Sequence, residues 1–156
     1  MEKTNGMRLL GAQGIAYEAR TYDPEITKGT EVANVLGEDP DSVFKTLVTE
    51  DPKKNHFVFV IPVGKELNLK LAAKAAGVKS IAMIPQKELL PLTGYVHGGC
   101  SPIGMKKAFP TFIDETAQCF DRIFVSGGRR GFQVGLNPLE LAKCIQAPFV
   151  LLTIDD

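Results

Sequence analysis

Four things are scarce or missing in this chain of 156 residues, and each closes off a class of function. There is no excess charge, since 18 Lys and Arg balance 18 Asp and Glu. Proteins that seize nucleic acid through phosphates alone carry a basic surplus, because counterion release drives that binding. Any contact with RNA must therefore rest on a local patch, a pocket for the RNA end or a partner protein. No apolar run approaches the roughly 20 residues of a membrane helix, and the start MEKTNGMRLL lacks the pattern of a secretory signal. The three cysteines, Cys100, Cys119 and Cys144, form no CxxC pair, which argues against both a zinc site and a disulfide framework. No acid–base pair, triad or metal-ligand cluster is evident. A cytoplasmic protein without metal or cofactor is the expectation.

What remains is the composition of a globular protein, with 44% hydrophobic and 23% charged residues, and a length that suits one domain spanning 1–156. Thr4 caps a helix with Met7, Leu10 and Ile15 inward, ended by Gly11 and Gly14. Residues 15–22 alternate as a strand, and Thr30–Leu36 reads as a short helix before Gly37. Phe44–Thr49 and Phe57–Ile61 form a hairpin across a charged turn. Asn68 opens a helix that stops at Gly77, a strand covers 80–84, and 86–94 is helical or turn-like. Strands follow at 111–114 and 123–126, then a Gly-Gly-Arg-Arg-Gly turn into Phe132–Val134. Asn137-Pro138 starts a last helix and 149–154 a last strand. The expected class is α+β, a mixed, largely antiparallel, barrel-like sheet with helices packed around it.

The segment Gly94–Gly104 holds four glycines, a proline and a serine in eleven positions. Such a loop can point several N–H groups at one anion or oxyanion, or it can simply turn the chain. It is no nucleotide P-loop, because Met105 and Lys106 stand where Lys and Ser/Thr belong. Cys100 with His97 as base would be a nucleophile pair, but a structural cysteine is the better reading. Cys119 and Cys144 read as core fillers and His56 as a surface residue. Lys45, flanked by Phe44 and Thr46, is either a solvated strand lysine or a buried cation in need of an anion. Ser126 precedes two glycines, as a hairpin turn or a cleft wall. Arg129 and Arg130 make a basic tip.

Taken in order, Thr21-Tyr22, Phe44-Lys45-Thr46-Leu47, Leu67-Asn68-Leu69-Lys70, Thr93-Gly94-Tyr95 through Gly98-Gly99, Ser101-Pro102, Gly104, and Val125-Ser126-Gly127-Gly128-Arg129-Arg130-Gly131 resemble the YbaK/EbsC family. The match runs over nearly the whole chain. The resemblance implies the fold of the editing domain of bacterial prolyl-tRNA synthetase. It also implies a trans-editing deacylase that removes cysteine from Cys-tRNA(Pro), with the substrate's own thiol attacking its ester. It places Lys45 as the catalytic residue and Tyr22, Thr46, Gly98, Gly99, Ser101 and Ser126 around the substrate. The implied partners are a mischarged tRNA, by its aminoacylated 3′ end, and prolyl-tRNA synthetase. Alternatives are a deacylase for another tRNA, such as Ala-tRNA(Pro), and a non-catalytic module binding tRNA or synthetase. Cys100, in place of an aliphatic residue, and a short Asp23–Gly29 segment depart from the pattern.

Overall fold

A computed structural model describes residues 3–154. Thirteen helices and strands run α1 (Asn5–Ala12), β1 (Glu18–Thr21), α2 (Gly29–Leu36), β2 (Phe44–Glu50), β3 (His56–Pro62), α3 (Leu69–Ala76), β4 (Ala82–Met83), α4 (Leu89–Thr93), β5 (Thr111–Asp114), β6 (Ile123–Ser126), β7 (Phe132–Leu136), α5 (Pro138–Ile145) and β8 (Phe149–Val150).

The strands form two sheets. One has the order β1-β7-β6, wholly antiparallel. The other has the order β4-β2-β3-β5-β8, antiparallel through β3 and parallel at β3–β5 and β5–β8. A single parallel bridge between Val43 and Phe124 links the start of β2 to β6. The α+β class and the mixed, mostly antiparallel pairing agree with the sequence reading, but the sheets do not close into a barrel. The reason lies in the chain: among the described residues that one bridge is all that joins β6 to the other sheet, β1 has no partner strand on its outer edge, and β4 and β8 are only two residues long.

Local chemistry accounts for most boundaries. Thr4, Asn68 and Asn137 cap α1, α3 and α5 through side-chain oxygens that accept first-turn amides. Gly37 and Gly77 end α2 and α3 in the left-handed conformation. The β2–β3 turn is organised by Asp51, whose Oδ1 accepts the amides of Lys53 at 3.0 Å and Asn55 at 2.8 Å. The full register runs from Phe44↔Pro62 to Glu50↔His56.

Three expected spans contract: 15–22 to 18–21, 80–84 to 82–83, and 149–154 to 149–150. At the end of the chain, Leu152 and Thr153 leave the sheet because Asp114 captures them. Its Oδ1 accepts the Leu152 amide at 2.9 Å and the Thr153 hydroxyl at 3.4 Å. Ile15 lies beyond α1 but is buried in the same cluster as Met7 and Leu10, with Tyr17 and Ala19 packed on it.

The main core fills the space under the three-stranded sheet, joining Met7, Leu10, Phe44, Ile113, Val125 and Leu141. A second cluster packs α3 on the other sheet around Phe59 and Ile61, where Phe59 and Phe112 stack at 5.4 Å. Cys119 is exposed, so it is not the core filler expected, whereas Cys144 is half-buried and packs against the main core. Cys119 closes a 3₁₀ turn, whereas its neighbour Ala117 takes the buried position. His56 is not a surface residue either: its ring packs against Phe109 at 5.5 Å, and Nε2 lies 3.6 Å from Glu50 Oε2.

Candidate functional site

The glycine loop and the β6–β7 turn meet. Gly98 has φ +86°. A side chain on Gly99 would come within 2.9 Å of the Arg130 amide nitrogen and 3.0 Å of the Arg129 carbonyl carbon, so only glycine lets the two backbones touch. Arg130 Nε donates to the His97 carbonyl at 2.8 Å, fixing the junction. Tyr95 supports it from behind, donating its hydroxyl to the Ile103 carbonyl. On the far side, the Tyr22 amide donates to the Gly131 carbonyl at 3.0 Å, tying the end of β1 to the same turn.

These contacts enclose a cleft of about 260 Å³. The start of β2 supplies Phe44, Lys45, Thr46 and Leu47; the glycine loop supplies His97, Gly98 and Cys100. Ser126 and Gln133 come from the three-stranded sheet, Tyr22 from just past the end of β1, and Thr27, Lys28, Gly29 and Val32 from the entry to α2. Thus five of the seven residues singled out by sequence line one cavity: Tyr22, Lys45, Thr46, Gly98 and Ser126. Gly99 and Ser101 do not. Gly99 is the packing point against Arg129 and Arg130. Ser101 is fully buried, and its hydroxyl accepts the Ile103 amide at 3.1 Å, shaping the loop from within.

The electrostatics of the cleft differ from those of the whole chain. Lys28, Lys45 and His97 line it, and no Asp or Glu does. A neutral protein thus carries a cavity whose charged side chains are all basic. Lys45 is half-buried and makes no ion pair among the described residues. Desolvation lowers its pKa from the ordinary lysine value, with Glu66 acting weakly in the opposite direction. A lysine in this state attracts an anion, because an anion restores what burial removed.

Two polar atoms in the cleft wall have no hydrogen-bond partner among the described residues. Thr46 Oγ1 and Gln133 Oε1 are shielded from solvent and accept no hydrogen bond. Gln133 is only 6% exposed, so its amide is buried at a cost unless a ligand satisfies it. Gln133 is the residue that the sequence reading missed. It sits in β7 directly across from Ser126, which precedes the glycine turn. The available signal was an amide placed between apolar residues of a buried strand, Phe132 and Val134.

Ser126 is already engaged: its Oγ accepts the Gly128 amide at 3.2 Å, which leaves its own proton to donate. Cys100 is a poor nucleophile. Burial pushes its thiol up to about 12, so it holds its proton at neutral pH. Among the described residues no group of three or more His, Cys, Asp or Glu is placed to hold a metal, and no helix is long and apolar enough to cross a membrane. The cleft therefore offers a cation, hydroxyls, an amide and backbone N–H groups, all of which position and stabilise charge.

Comparison with known proteins points the same way. The model of the aminoacyl-tRNA editing domain matches residues 23–144. Over 154 residues the chain is 41% identical to EbsC of Enterococcus faecalis, described as a candidate Cys-tRNA(Pro)/Cys-tRNA(Cys) deacylase, covering 97% of this chain and 94% of that one. A proline–tRNA ligase of Shouchella clausii is 29% identical over 118 residues, which is 74% of this chain and 20% of the ligase. A solved structure described as a candidate trans-editing enzyme for prolyl tRNA synthetase shares the fold, with a TM-score of 0.85 at 21% identity over 99% of this chain and 100% of that one. The chain belongs to the aminoacyl-tRNA editing family, on its YbaK/EbsC branch.

Proposed function

We propose that this protein is a trans-editing deacylase that frees cysteine from Cys-tRNA(Pro). The observation that carries the reading is the cleft around Lys45: a desolvated cation without a counter-ion, beside two buried polar atoms without partners. Such a cavity is built for a polar, anionic ligand. An aminoacyl ester on the 3′ end of tRNA has that chemistry, and the family and the EbsC relative support the assignment.

The ester is already activated, so the site has to position it and stabilise the charge that develops on its carbonyl oxygen. Lys45 holds the RNA end by its cationic ammonium. Gly98 N–H and the Ser126 hydroxyl donate toward the ester oxygen. Cys100 is no competent nucleophile, because burial pushes its thiol up to about 12. The substrate's thiol fills that role: its sulfur bonds to the carbonyl carbon, the carbon–oxygen bond to ribose breaks, and the sulfur's proton passes to the departing ribose oxygen. The four-membered thiolactone that forms is opened by water to free cysteine. Action alongside prolyl-tRNA synthetase fits a surface with no net charge, since the synthetase can hold the body of the tRNA.

The test is to incubate the protein with tRNA(Pro) bearing labelled cysteine, alanine or serine. Release of cysteine far above the other two supports thiol assistance. Equal release of alanine moves the reading to a general deacylase, and tight binding without release moves it to a non-catalytic module.

A further inference from the structure

The helix α2 begins at the cleft without a cap. Its N-cap residue is Lys28, which contributes no side-chain hydrogen bond, whereas Thr4, Asn68 and Asn137 cap α1, α3 and α5. The first N–H groups of a helix have no partner within it and need one from outside. Among the described residues the amides of Gly29, Thr30 and Glu31 find none, and the Glu31 side chain closes no capping bond. An uncapped start carries roughly half a positive charge from the aligned peptide dipoles.

Gly29 explains how this start reaches the cavity. A Cβ there would lie 2.7 Å from Val63 Cβ and Cγ1, so the missing side chain lets the first turn seat directly on Val63. Lys28, Gly29 and Val63 all line the cleft, together with Lys45. The second, independent sign of a ligand is Gln133. It is 6% exposed, lines the same cleft, and its Oε1 has no partner. A ligand that presents an anion to the amides and Lys45, and a hydroxyl or ammonium proton to Gln133, would satisfy these open groups together. A nucleotide with a 5′-phosphate has both.

We propose that the uncapped amino terminus of α2 is a phosphate seat, which with Lys45 grips the phosphate on the 5′ side of the substrate's terminal adenosine. This deepens the deacylase reading and rests on it for the identity of the nucleotide. It assigns the anchoring of the RNA end to Gly29 and Thr30 amides as well as to Lys45, leaving the glycine loop to the ester. Backbone donors at a helix start are well suited to phosphate, and they read no base.

The experiment titrates ¹⁵N-labelled protein with adenosine 5′-monophosphate, and separately with adenosine and with inorganic phosphate. The nucleotide should move the amide signals of Gly29, Thr30 and Glu31; adenosine alone should leave them still. Lys28→Asn supplies the missing cap, so it should weaken nucleotide binding about tenfold or more while the melting temperature holds or rises. Lys28→Ala removes the same charge but leaves the amides open, and should weaken binding far less. The seat is refuted if the nucleotide moves residues 98–100 without 29–31, or if Lys28→Asn and Lys28→Ala weaken binding equally. Inorganic phosphate moving the same amides supports the seat, because the contact is then to the phosphate itself. These outcomes are separate from catalysis: release of cysteine with silent amides overturns the seat alone. Moving amides without any deacylation overturn the deacylase reading alone.

Discussion

Asp114 and Gln133 are both buried polar residues at β-strand positions, and they are treated in opposite ways. Asp114 is fully buried and every bond it can make is made: Oδ1 takes Leu152 N and Thr153 Oγ1, and Oδ2 takes Thr116 N and Thr116 Oγ1. Gln133, nearly as buried, has an oxygen that meets nothing. A satisfied buried group holds a fold together; an unsatisfied one costs stability and is open to a ligand. The difference separates Asp114, which holds the fold, from Gln133, which lines the cleft; the buried Glu50 Oε2 and His56 Nε2, also without hydrogen bonds, face each other at 3.6 Å away from it.

The largest effect should come from breaking the satisfied side. Asp114→Ala strands the Leu152 amide and two hydroxyls, and should cost about 3–5 kcal/mol, read by urea unfolding. The fraction that remains folded should deacylate at the parental rate per molecule, since Asp114 does not line the cleft. A selective fall in rate with unchanged stability would erase the contrast.

The reverse pattern is expected at Lys45. Lys45→Ala should lower Cys-tRNA(Pro) hydrolysis by about 10²-fold or more, the scale of losing one charge-stabilising group. Its midpoint of unfolding should not fall, because the substitution removes a desolvated cation that has no ion-pair partner. Full activity in Lys45→Ala would end its assignment to the site.

Gln133→Leu is a finer probe. Replacing an unpaired buried amide with an apolar group of similar size should leave stability unchanged or raise it by about 1 kcal/mol. It should raise KM about tenfold, the value of one or two hydrogen bonds to substrate. If Gln133→Leu unfolds the protein, the amide is structural and the division drawn from Asp114 fails.

The same division explains what could be read from the sequence. Helix starts at Thr4, Asn68 and Asn137 and stops at Gly37 and Gly77 follow from local rules, and they are where the structure has them. The β2–β3 hairpin was equally visible, because Asp51 to Asn55 organise the turn from within. The end of β8 was not, since Asp114 acts on Leu152 across 38 residues. Lys45 stood out through its neighbours, whereas Gln133 carries only a faint local mark, an amide between apolar residues. Its significance arises only when β7 pairs with β6 and turns it toward the cleft. Ser101 and Gly99 were visible as unusual residues, but their contacts inside the loop arise from tertiary packing that spacing does not encode.

The smallest effect, and the sharpest on the cleft, is in the pH dependence of Lys45. Burial lowers its pKa in the folded protein below the ordinary 10.5. Between the lowered folded value and the unfolded one, the unfolded chain binds more protons, so unfolding free energy from this group rises as pH rises through that window. Activity should move the other way. If the cationic form holds the RNA end, kcat/KM falls on the alkaline side with an apparent pKa below that of a free lysine. Lys45→Arg should remove that alkaline limb while keeping part of the activity, because guanidinium stays charged throughout. A phosphate bound beside Lys45 pulls its pKa back up, so the limb in kcat should sit at higher pH than the limb in kcat/KM. Coincident limbs would mean that no anion approaches the ammonium, and the unsatisfied side of the comparison would lose its cation.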